Sequence, residues 1–344
     1  SLWVPPLAFE ARRIFNTQRH GFYQHGEAIF FIAEKDSTPV GRLAVLNNHT
    51  YNEFNQESTA FFYLFECIND TDVSNALFKQ AFDWCRDKGL TRIIGPKGFS
   101  VLDGMGLLVR GFEYLPAFGI PYNPPYYQTL IEKAGFTIHS DSVSGHLGAD
   151  MVFPEKILKV SELVAKRYGF RVLDLRTRKD LKNAFFHFKR MYNDALEGTT
   201  GNMPLTDADI DSMTRGLLWI ADPKLIKLIM KDDDPVGFLI AYPDVSAALQ
   251  RNKGKLFPFG WLDILMERRK TKWININGAG IVAKYRRMGA TALLFAEMFK
   301  SVSSGNIRNA DIVQIGTDNE QMHLELSQIG INFYKTHRIF QKDL

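Results

Sequence analysis

An internal repeat is the feature of this sequence that most constrains its fold. A Pro-Val-Gly triplet follows a short charged turn twice, ending at Gly41 in the first half and at Gly237 in the second. After nearly the same number of residues, each triplet is followed by a helical pattern that ends in a glycine, Gly135 or Gly330. Apolar residues in both helical patterns recur at i, i+4 and i+7, which is one face of a helix. Landmarks that match in type, order and separation indicate two copies of one fold.

Each half alternates strands with helices between these landmarks. Bounded apolar runs predict strands, whereas apolar residues at helical spacing next to a capping residue or a glycine predict helices. The predicted strands are Val40–Asn47, Phe61–Ile68, Val236–Tyr242, Trp273–Val282 and Ile312–Ile315. Four helices are predicted. One begins at a cap on Thr71 or Asp72 and another follows Gly289, while the other two end before Gly135 and before Gly330. Antiparallel strands followed by strand–helix–strand units predict an α/β fold with a mixed sheet and helices on both faces.

The second half also has a lead-in that the first half lacks. It consists of a strand at Phe170–Leu175, a helix at Lys179–Ala195 and a second helix capped at Thr206–Asp209. An amphipathic helix around Pro154–Arg167 precedes it and connects the halves. We therefore expect a first domain over residues 1–145, a connector helix over 146–169 and a second domain over 170–344. The first domain is expected to lack its opening strand.

Composition narrows the class of protein. The chain has 344 residues, 45% hydrophobic and 23% charged, which is typical of a folded globular protein. Its net charge of +4 is spread along the chain without a basic stripe, so we expect no nucleic-acid partner. No apolar run approaches the roughly 20 residues of a membrane span, so we expect no membrane partner. The sequence does not predict an oligomeric state.

The cysteines indicate whether a metal site is expected, and the start of the chain indicates whether the protein is expected to be secreted. Cys67 and Cys85 are the only two cysteines, and each lies in a segment that we expect to be core. No Cys or His pair has the spacing of metal ligands, so no metal is expected. The chain begins at Ser1 without a Met or a charged-then-apolar leader, so we expect no signal peptide and a natural protein that begins further upstream. We expect a cytoplasmic protein.

One loop in the second half has the residues of an anion site. It runs from Ile281 and Val282 through Lys284, Arg286, Arg287, Met288 and Gly289 into a helix that begins with Ala290, Thr291 and Ala292. The free N–H groups and the dipole of a helix start favour an anion, and a glycine there permits close backbone approach. The three basic residues add positive charge. An ordinary strand-to-helix turn with solvated arginines would have the same sequence.

The loop resembles the acyl-CoA-binding signature of the GNAT (GCN5-related) N-acetyltransferases. Arg286 and Gly289 match the signature, whereas Thr291 departs from its final small residue. Asn319 matches an asparagine that opens a later helix in that family. The resemblance implies that the strand ending at Ile281 and Val282 pairs with pantetheine. It further implies that the diphosphate of acetyl-CoA or acyl-CoA, used as co-substrate, binds the amides of residues 287–292.

Nearly the whole chain is similar to bacterial double-GNAT proteins of poorly defined function. The segments that carry this similarity are 3–7, 95–96 with 104–106, 121–127 and 334–339. The resemblance implies two tandem GNAT folds, of which the second holds the donor. In the first half, the corresponding turn has no glycine and three acidic residues, Glu66, Asp70 and Asp72, which would repel a diphosphate. Its segments 95–106 and 121–127 either line a substrate pocket or form a packed surface loop.

Catalytic residues are less apparent. The resemblance implies a direct attack of the amine on the thioester, with a tyrosine that protonates the leaving thiolate, but that position falls on Leu326. Tyr334 is a remote substitute, and water is another. Asp244 and Asp263 are candidate bases by position. Asn275 and Asn277 are candidates for binding substrate, although all four also fit turns or satisfied core amides.

The leading hypothesis is an N-acyltransferase that acts on a small-molecule or peptide amine. A Fem-type aminoacyl transferase is an alternative that also uses this fold, but the modest charge and the intact loop argue against it. A tandem GNAT pair without catalytic activity, which binds a ligand or a protein, is a third hypothesis supported by the leucine at position 326.

Overall fold

A computed structural model of the protein describes residues 2–100, 103–148, 153–195, 204–206, 221–303 and 306–344. The strands are β1 (Gly26–Lys35), β2 (Thr38–Asn48), β3 (Thr59–Cys67), β4 (Arg92–Gly95), β5 (Leu107–Arg110), β6 (Thr137–Leu147), β7 (Phe170–Val172), β8 (Ile226–Lys231), β9 (Asp234–Pro243), β10 (Trp273–Ile281), β11 (Asn309–Gly316) and β12 (Asn332–Asp343). The described helices are α1 (Ala8–Arg13), α2 (His49–Asn55), α3 (Thr71–Asp87), α4 (Tyr127–Lys133), α5 (Glu155–Tyr168), α6 (Arg178–Ala195), α7 (Ser246–Asn252), α8 (Gly260–Lys270), α9 (Ala290–Ser303) and α10 (Glu320–Gln328).

The strands form one mixed sheet in the order β1-β2-β3-β4-β12-β6-β11-β10-β9-β8-β7, with β5 paired to β12. The last strand of each half lies against the other half. Strand β6, the last of the first half, pairs with β11 of the second half, and β12, the last of the second half, pairs with β4 of the first half. Because β6 and β12 also pair with each other, this exchange joins the two halves into a continuous sheet.

The repeat predicted from the sequence recurs in the pairing pattern. Strands β2 and β3 are antiparallel and β3 and β4 are parallel, just as β9 and β10 are antiparallel and β10 and β11 are parallel. Helix α3 follows β3 as α9 follows β10. Gly135 and Gly330 have φ of +88° and +84°, the left-handed conformation that the predicted helix ends require.

One helix cap and one strand end differ from the prediction, and one predicted helix lies almost wholly outside the described residues. Helix α3 is capped by Asp70 rather than by Thr71 or Asp72, because the Asp70 carboxylate accepts hydrogen bonds from the amides of residues 72 and 73. Strand β7 ends at Val172, three residues before the predicted end. The helix predicted to be capped at Thr206–Asp209 lies outside the described residues, except for Thr206 itself.

The core of the second half positions the segments discussed below. Helix α6 packs on β9, where the rings of Phe188 and Tyr192 contact Phe238. Helix α9 packs against β8, β9 and the connector helix α5. Cys67 and Cys85 are buried in β3 and α3, as expected. None of the described helices combines the length and the apolar composition that a membrane-spanning segment requires.

Candidate functional site

The loop between β10 and α9 is held against the sheet by its own residues. Val282 donates its amide to the carbonyl of Val236 on β9 at 2.9 Å. The buried ring of Tyr285 brings its hydroxyl within 3.3 Å of the Asp234 carboxylate. Arg287 and Gly289 have φ of +62° and +81°, so the backbone turns sharply twice before the helix begins. The loop is therefore an anchored turn rather than an open surface excursion.

The three cations of the loop have different environments. Lys284 forms an ion pair with Asp234 at 2.7 Å. The Arg286 guanidinium donates to the carbonyls of Ile281 and Ala195 at 3.1 and 3.2 Å, so it fastens the end of β10 to the end of α6. Arg287 is exposed, and its side chain has no partner among the described residues. Arg287 is thus the cation of this loop that is best placed to meet an anion.

Gly289 is required by the packing of the connector helix. A Cβ at this position would lie 2.7 Å from Cγ2 of Val164 on α5, and the positive φ adds strain for any other residue. The close backbone approach predicted at Gly289 is therefore to a protein neighbour. The first turn of α9 contains no acidic residue. Among the described residues, no side chain accepts a hydrogen bond from the amides of Gly289, Ala290, Thr291 or Ala292 at this helix start.

Strands β10 and β11 separate part-way along their length. They pair in parallel from Trp273 with Asn309 to Ile276 with Ile312, and no further. Beyond this point β11 continues its pairing with β6, while Asn277 forms a bulge in the pairing of β10 with β9. Residues 277–281 are partly accessible, and the nearest atom to a Cβ at Gly278 would be 3.8 Å away. A V-shaped opening results, with its mouth at the loop that precedes α9.

A buried polar cluster lies at the apex of this opening. Asn275 on β10 and Asp311 on β11 are register partners, one residue before the strands separate. The Asp311 carboxylate accepts a hydrogen bond from Lys335 on β12 at 2.7 Å, and both side chains are almost fully buried. The Asn275 amide donates to Asp244 at 3.4 Å. We call Asp244, Asn275, Asp311, Tyr334 and Lys335 the apex cluster.

Two oxygens of the apex cluster lack partners. Among the described residues, Asn275 Oδ1 and Asp311 Oδ1 are buried without a hydrogen-bond donor. An unpartnered buried acceptor is costly, so two of them on adjacent strands are a place where a donor group would be bound favourably. An amine or a hydroxyl of a substrate is such a donor.

Burial controls the acid–base character of the cluster. It raises the pKa of Asp311, although the nearby Lys335 charge opposes the shift. It also raises the pKa of Asp244, against the hydrogen bonds that Ser246 and Asn275 donate. The pKa of the half-buried Tyr334 phenol is raised by burial and then by the adjacent Asp311 carboxylate. The two carboxylates are therefore stronger proton acceptors than exposed ones, whereas the phenol is a weaker acid.

The structure brings together three of the five catalytic candidates from the sequence. Asp244, Asn275 and Tyr334 all belong to the apex cluster, while Asn277 lies just beyond it at the bulge. Asp263 is elsewhere, where its carboxylate accepts two hydrogen bonds from Arg251 that lower its pKa. Such a paired carboxylate is a poor base.

Two further positions named from the sequence have local roles. The Asn319 side chain accepts a hydrogen bond from the amide of Met322 and caps α10. Leu326 is fully buried in the core, so no proton donor occupies that position.

Sequence reasoning missed Asp311 and Lys335. Both lie on strands that read as ordinary alternating segments, and nothing local distinguishes them. The position of Asp311 between Ala310 and Ile312 is at most a weak signal of a buried charge, and its partner Lys335 follows only from the exchanged strand order.

The first half contributes backbone to the apex cluster. The loop between β5 and α4 offers the carbonyl of Leu115 to Lys335 at 3.2 Å and that of Phe118 to the Tyr242 hydroxyl at 3.3 Å. Tyr242 is the register partner of Asn275. This part of the first half therefore covers the apex cluster.

The matching position in the first half is closed by protein groups. The amides at the start of α3 are capped by the Asp70 carboxylate. The end of β3 at Cys67 donates its amide to the Tyr127 hydroxyl and accepts from the Tyr126 hydroxyl, at 3.1 and 2.9 Å. A carboxylate thus occupies the anion position, and two tyrosines occupy the strand edge. No group of three potential metal ligands is found among the described residues.

Two known proteins are similar to this chain over nearly its whole length. The chain is 25% identical to Protein YghO of Escherichia coli, over 99% of the chain and 88% of that protein. It is 26% identical to the bacterial ceramide synthase of Caulobacter vibrioides, over 99% of the chain and 90% of that protein. No protein-family model matches the chain.

A solved structure resembles the whole fold. The tandem GNAT protein from the clavulanic acid biosynthesis pathway aligns over 93% of this chain and 83% of its own length, with a TM-score of 0.52 and 10% identity. At this identity the likeness shows the fold alone. The predicted fold class, a mixed α/β sheet similar to tandem GNAT structures, is confirmed.

Proposed function

With a GNAT-type fold as the premise, we propose that this chain transfers an acyl group from acyl-CoA to the nitrogen of an amine. The observation that carries the proposal is the separation of β10 from β11, which lies between the glycine-preceded start of α9 and a buried polar cluster. A thioester donor and an amine acceptor would meet at its apex. The second half holds the donor, and the first half covers the acceptor side.

The donor would lie along the free edge of β10. Pantetheine would pair with the backbone of residues 277–281, which have no strand partner on the β11 side. The diphosphate would be bound by the amides at the start of α9 and by the Arg287 guanidinium. Arg286 would act indirectly, because its guanidinium already fastens β10 to α6. Acetyl-CoA and longer acyl-CoAs share the pantetheine and diphosphate groups that these residues would bind.

The apex cluster would receive the acceptor. The amine donates hydrogen bonds to Asn275 Oδ1 and Asp311 Oδ1, the two unpartnered oxygens. Its nitrogen then attacks the thioester carbonyl carbon, and the carbon–sulfur bond breaks. Asp311 takes the proton that the nitrogen loses, and the thiolate of CoA takes a proton from water. Water suffices as the acid, because a thiol with a pKa of about 8.5 is a good leaving group.

The relatives suggest which acceptor to test first. One relative is named a bacterial ceramide synthase, and a ceramide is the fatty amide of a long-chain amino alcohol. We therefore propose a long-chain amino alcohol as acceptor and a fatty acyl-CoA as donor. A short polar amine with acetyl-CoA is the comparison pair.

Binding of the donor can be tested without knowledge of the acceptor. Calorimetry measures the affinity for CoA directly. A thermal shift reports the same binding, since a ligand that binds the native state raises the melting temperature. Arg287→Asn removes the free cation but tolerates the left-handed backbone, and we expect CoA affinity to fall about tenfold or more. Lys253→Asn is the matched control, because Lys253 is an exposed cation with φ of +51° away from the loop. Equal affinity in the two variants would contradict the assignment of the loop.

Catalysis is tested by release of the CoA thiol with each amine. Asp311→Asn should reduce turnover about 100-fold or more, because it removes the base. It also leaves the buried Lys335 charge unpaired, so CoA binding and the melting temperature of the same variant must show that it is still folded. Asp263→Asn is the control, since that carboxylate is held by Arg251 on the surface. If CoA binds but no amine raises thiol release above hydrolysis, the chain is a binding module instead.

A further inference from the structure

A patch of large apolar side chains is exposed around helix α8. Phe257 and Phe259, just before the helix, are 81% and 74% exposed. Four further side chains of the patch are 38–43% exposed, namely Trp261, Leu262, Leu265 and Met266. Isolated exposed apolar residues are common, but six within ten positions of the chain are a concentration of the kind that marks an interaction site. We call these six residues the α8 patch.

The opposite side of α8 is firmly anchored, so the patch is presented on a fixed surface. Ile264 and Gly260 are buried beneath it, and a Cβ at Gly260 would collide with the carbonyl of Lys255. Asp263 and Glu267 both bind Arg251, from the end of α7. These contacts fix which face of α8 points inward, and the aromatic and aliphatic face is left outside.

Basic residues surround the patch. Lys253 and Lys255 precede it, and Arg269 and Lys270 follow it, all of them exposed. The two acidic residues within α8 are both paired with Arg251. The chain segments on either side of the patch are therefore positively charged. Aromatic side chains next to lysine and arginine are the combination that binds at the interface of an anionic bilayer.

We propose that the α8 patch docks this protein onto the surface of an anionic lipid bilayer. The rings of Phe257, Phe259 and Trp261 insert at the level of the headgroups, and the flanking cations bind lipid phosphates. This is peripheral binding and needs no spanning helix. It departs from the expectation of no membrane partner, which rested on the lengths of apolar runs and not on their exposure.

The position of the patch in the fold gives the docking a consequence for substrate entry. Helices α7 and α8 connect the end of β9 to the start of β10, and the Asp244 amide donates to the Trp273 carbonyl at that edge of the sheet. The loop before α9 lies at the other end of β10, about 26 Å away along the strand. A docked molecule would hold the Asp244 edge near the lipid and leave the opposite end of β10 in water. This consequence rests on the proposed function, but the docking itself does not.

Vesicle sedimentation tests the docking directly. Phosphatidylcholine vesicles with 30% phosphatidylglycerol are compared with pure phosphatidylcholine vesicles, and no substrate is needed. We expect binding to the anionic vesicles that weakens as salt is added. The triple variant Phe257→Ser, Phe259→Ser, Trp261→Ser should lower the partition coefficient at least tenfold. The triple variant Lys253→Gln, Lys255→Gln, Lys270→Gln should lower it about fivefold for each charge removed.

A matched control separates the patch from general hydrophobicity. Ile32, Phe186 and Leu324 are also more than 60% exposed, and their replacement by serine should leave vesicle binding unchanged. The proposal would be overturned if the control variant lost as much vesicle binding as the patch variant, or if the unaltered chain bound no vesicles. Sedimentation velocity tests whether a second copy of the chain binds the α8 patch instead. A dimer that the α8 patch variant abolishes, without any vesicle binding, would identify the patch as an interface between two copies and would refute the lipid assignment.

Discussion

The buried ion pair between Asp311 and Lys335 yields a prediction with a defined magnitude. The two side chains are 3% and 2% exposed and 2.7 Å apart, and they join β11 to β12 across β6. Removal of one partner leaves a charge in the core without compensation, which typically costs about 3–5 kcal/mol. Domains are usually stable by only about 5–15 kcal/mol, so Lys335→Met should remove a large fraction of the stability.

The pH dependence of this variant follows from the direction of the Asp311 pKa. Burial raises this pKa in the native protein, and loss of the Lys335 charge raises it further. A carboxyl with a raised native pKa stabilises the fold fully below its unfolded value of about 3.9 and loses this contribution as the pH rises through the native pKa. The loss in free energy of unfolding caused by Lys335→Met should therefore be largest near pH 7 and smaller at pH 5. The double variant Asp311→Asn, Lys335→Met should be less destabilised than the sum of the single variants, because it leaves no unpaired charge.

Urea unfolding followed by circular dichroism measures these free energies, with the slope checked for two-state behaviour. Two results would refute the reasoning. One is a loss below about 0.5 kcal/mol for Lys335→Met at pH 7, which would mean that water reaches the pair. The other is strict additivity in the double variant, which would mean that the two groups do not interact.

Three further predictions concern stability elsewhere. Burial lowers the pKa of His337 from 6.5 to about 4, so its contribution of about 3 kcal/mol is present above pH 6.5 and is lost as the pH falls toward 4. His337→Gln should reduce the change of the urea midpoint with pH over that range. The same pH dependence in the variant as in the unaltered protein would contradict this. Gly289→Ala should cost about 1–3 kcal/mol in thermal unfolding, and Val164→Ala in the same chain should recover the part due to contact but not the part due to positive φ. Asp70→Ala should cost about 1 kcal/mol because it removes the cap of α3, and a loss as large from Asp72→Ala would argue against the capping assignment.

Much of the fold was predictable because it is encoded locally. The alternation of strands and helices follows from apolar spacing, and the helix ends follow from glycines that adopt positive φ. The repeat of these signals was enough to predict two copies of one fold and to single out the loop before α9. The choice between Asp70 and its neighbours as the cap was less certain, because several capping residues stand side by side.

The candidate site was predictable only in part. Asp244 was named for its position at a strand end, Asn275 as an amide on the central strand and Tyr334 as a substitute for the tyrosine missing at position 326. Their meeting at one place was not predicted. Asp311 and Lys335 were missed altogether. Their contact depends on β6 lying between β11 and β12, and strand order is a property of long-range pairing that no local pattern records.

The sequence by itself determined the local elements, the duplication and the residues of the loop, since each of these depends on neighbours within about one helical turn or one strand. The tertiary structure decided which groups meet. It exchanged β6 and β12 between the halves, turned Gly289 toward Val164, and left the α8 patch uncovered. An apolar run has the same letters whether it is buried or exposed, because burial depends on what packs over it and not on the run itself.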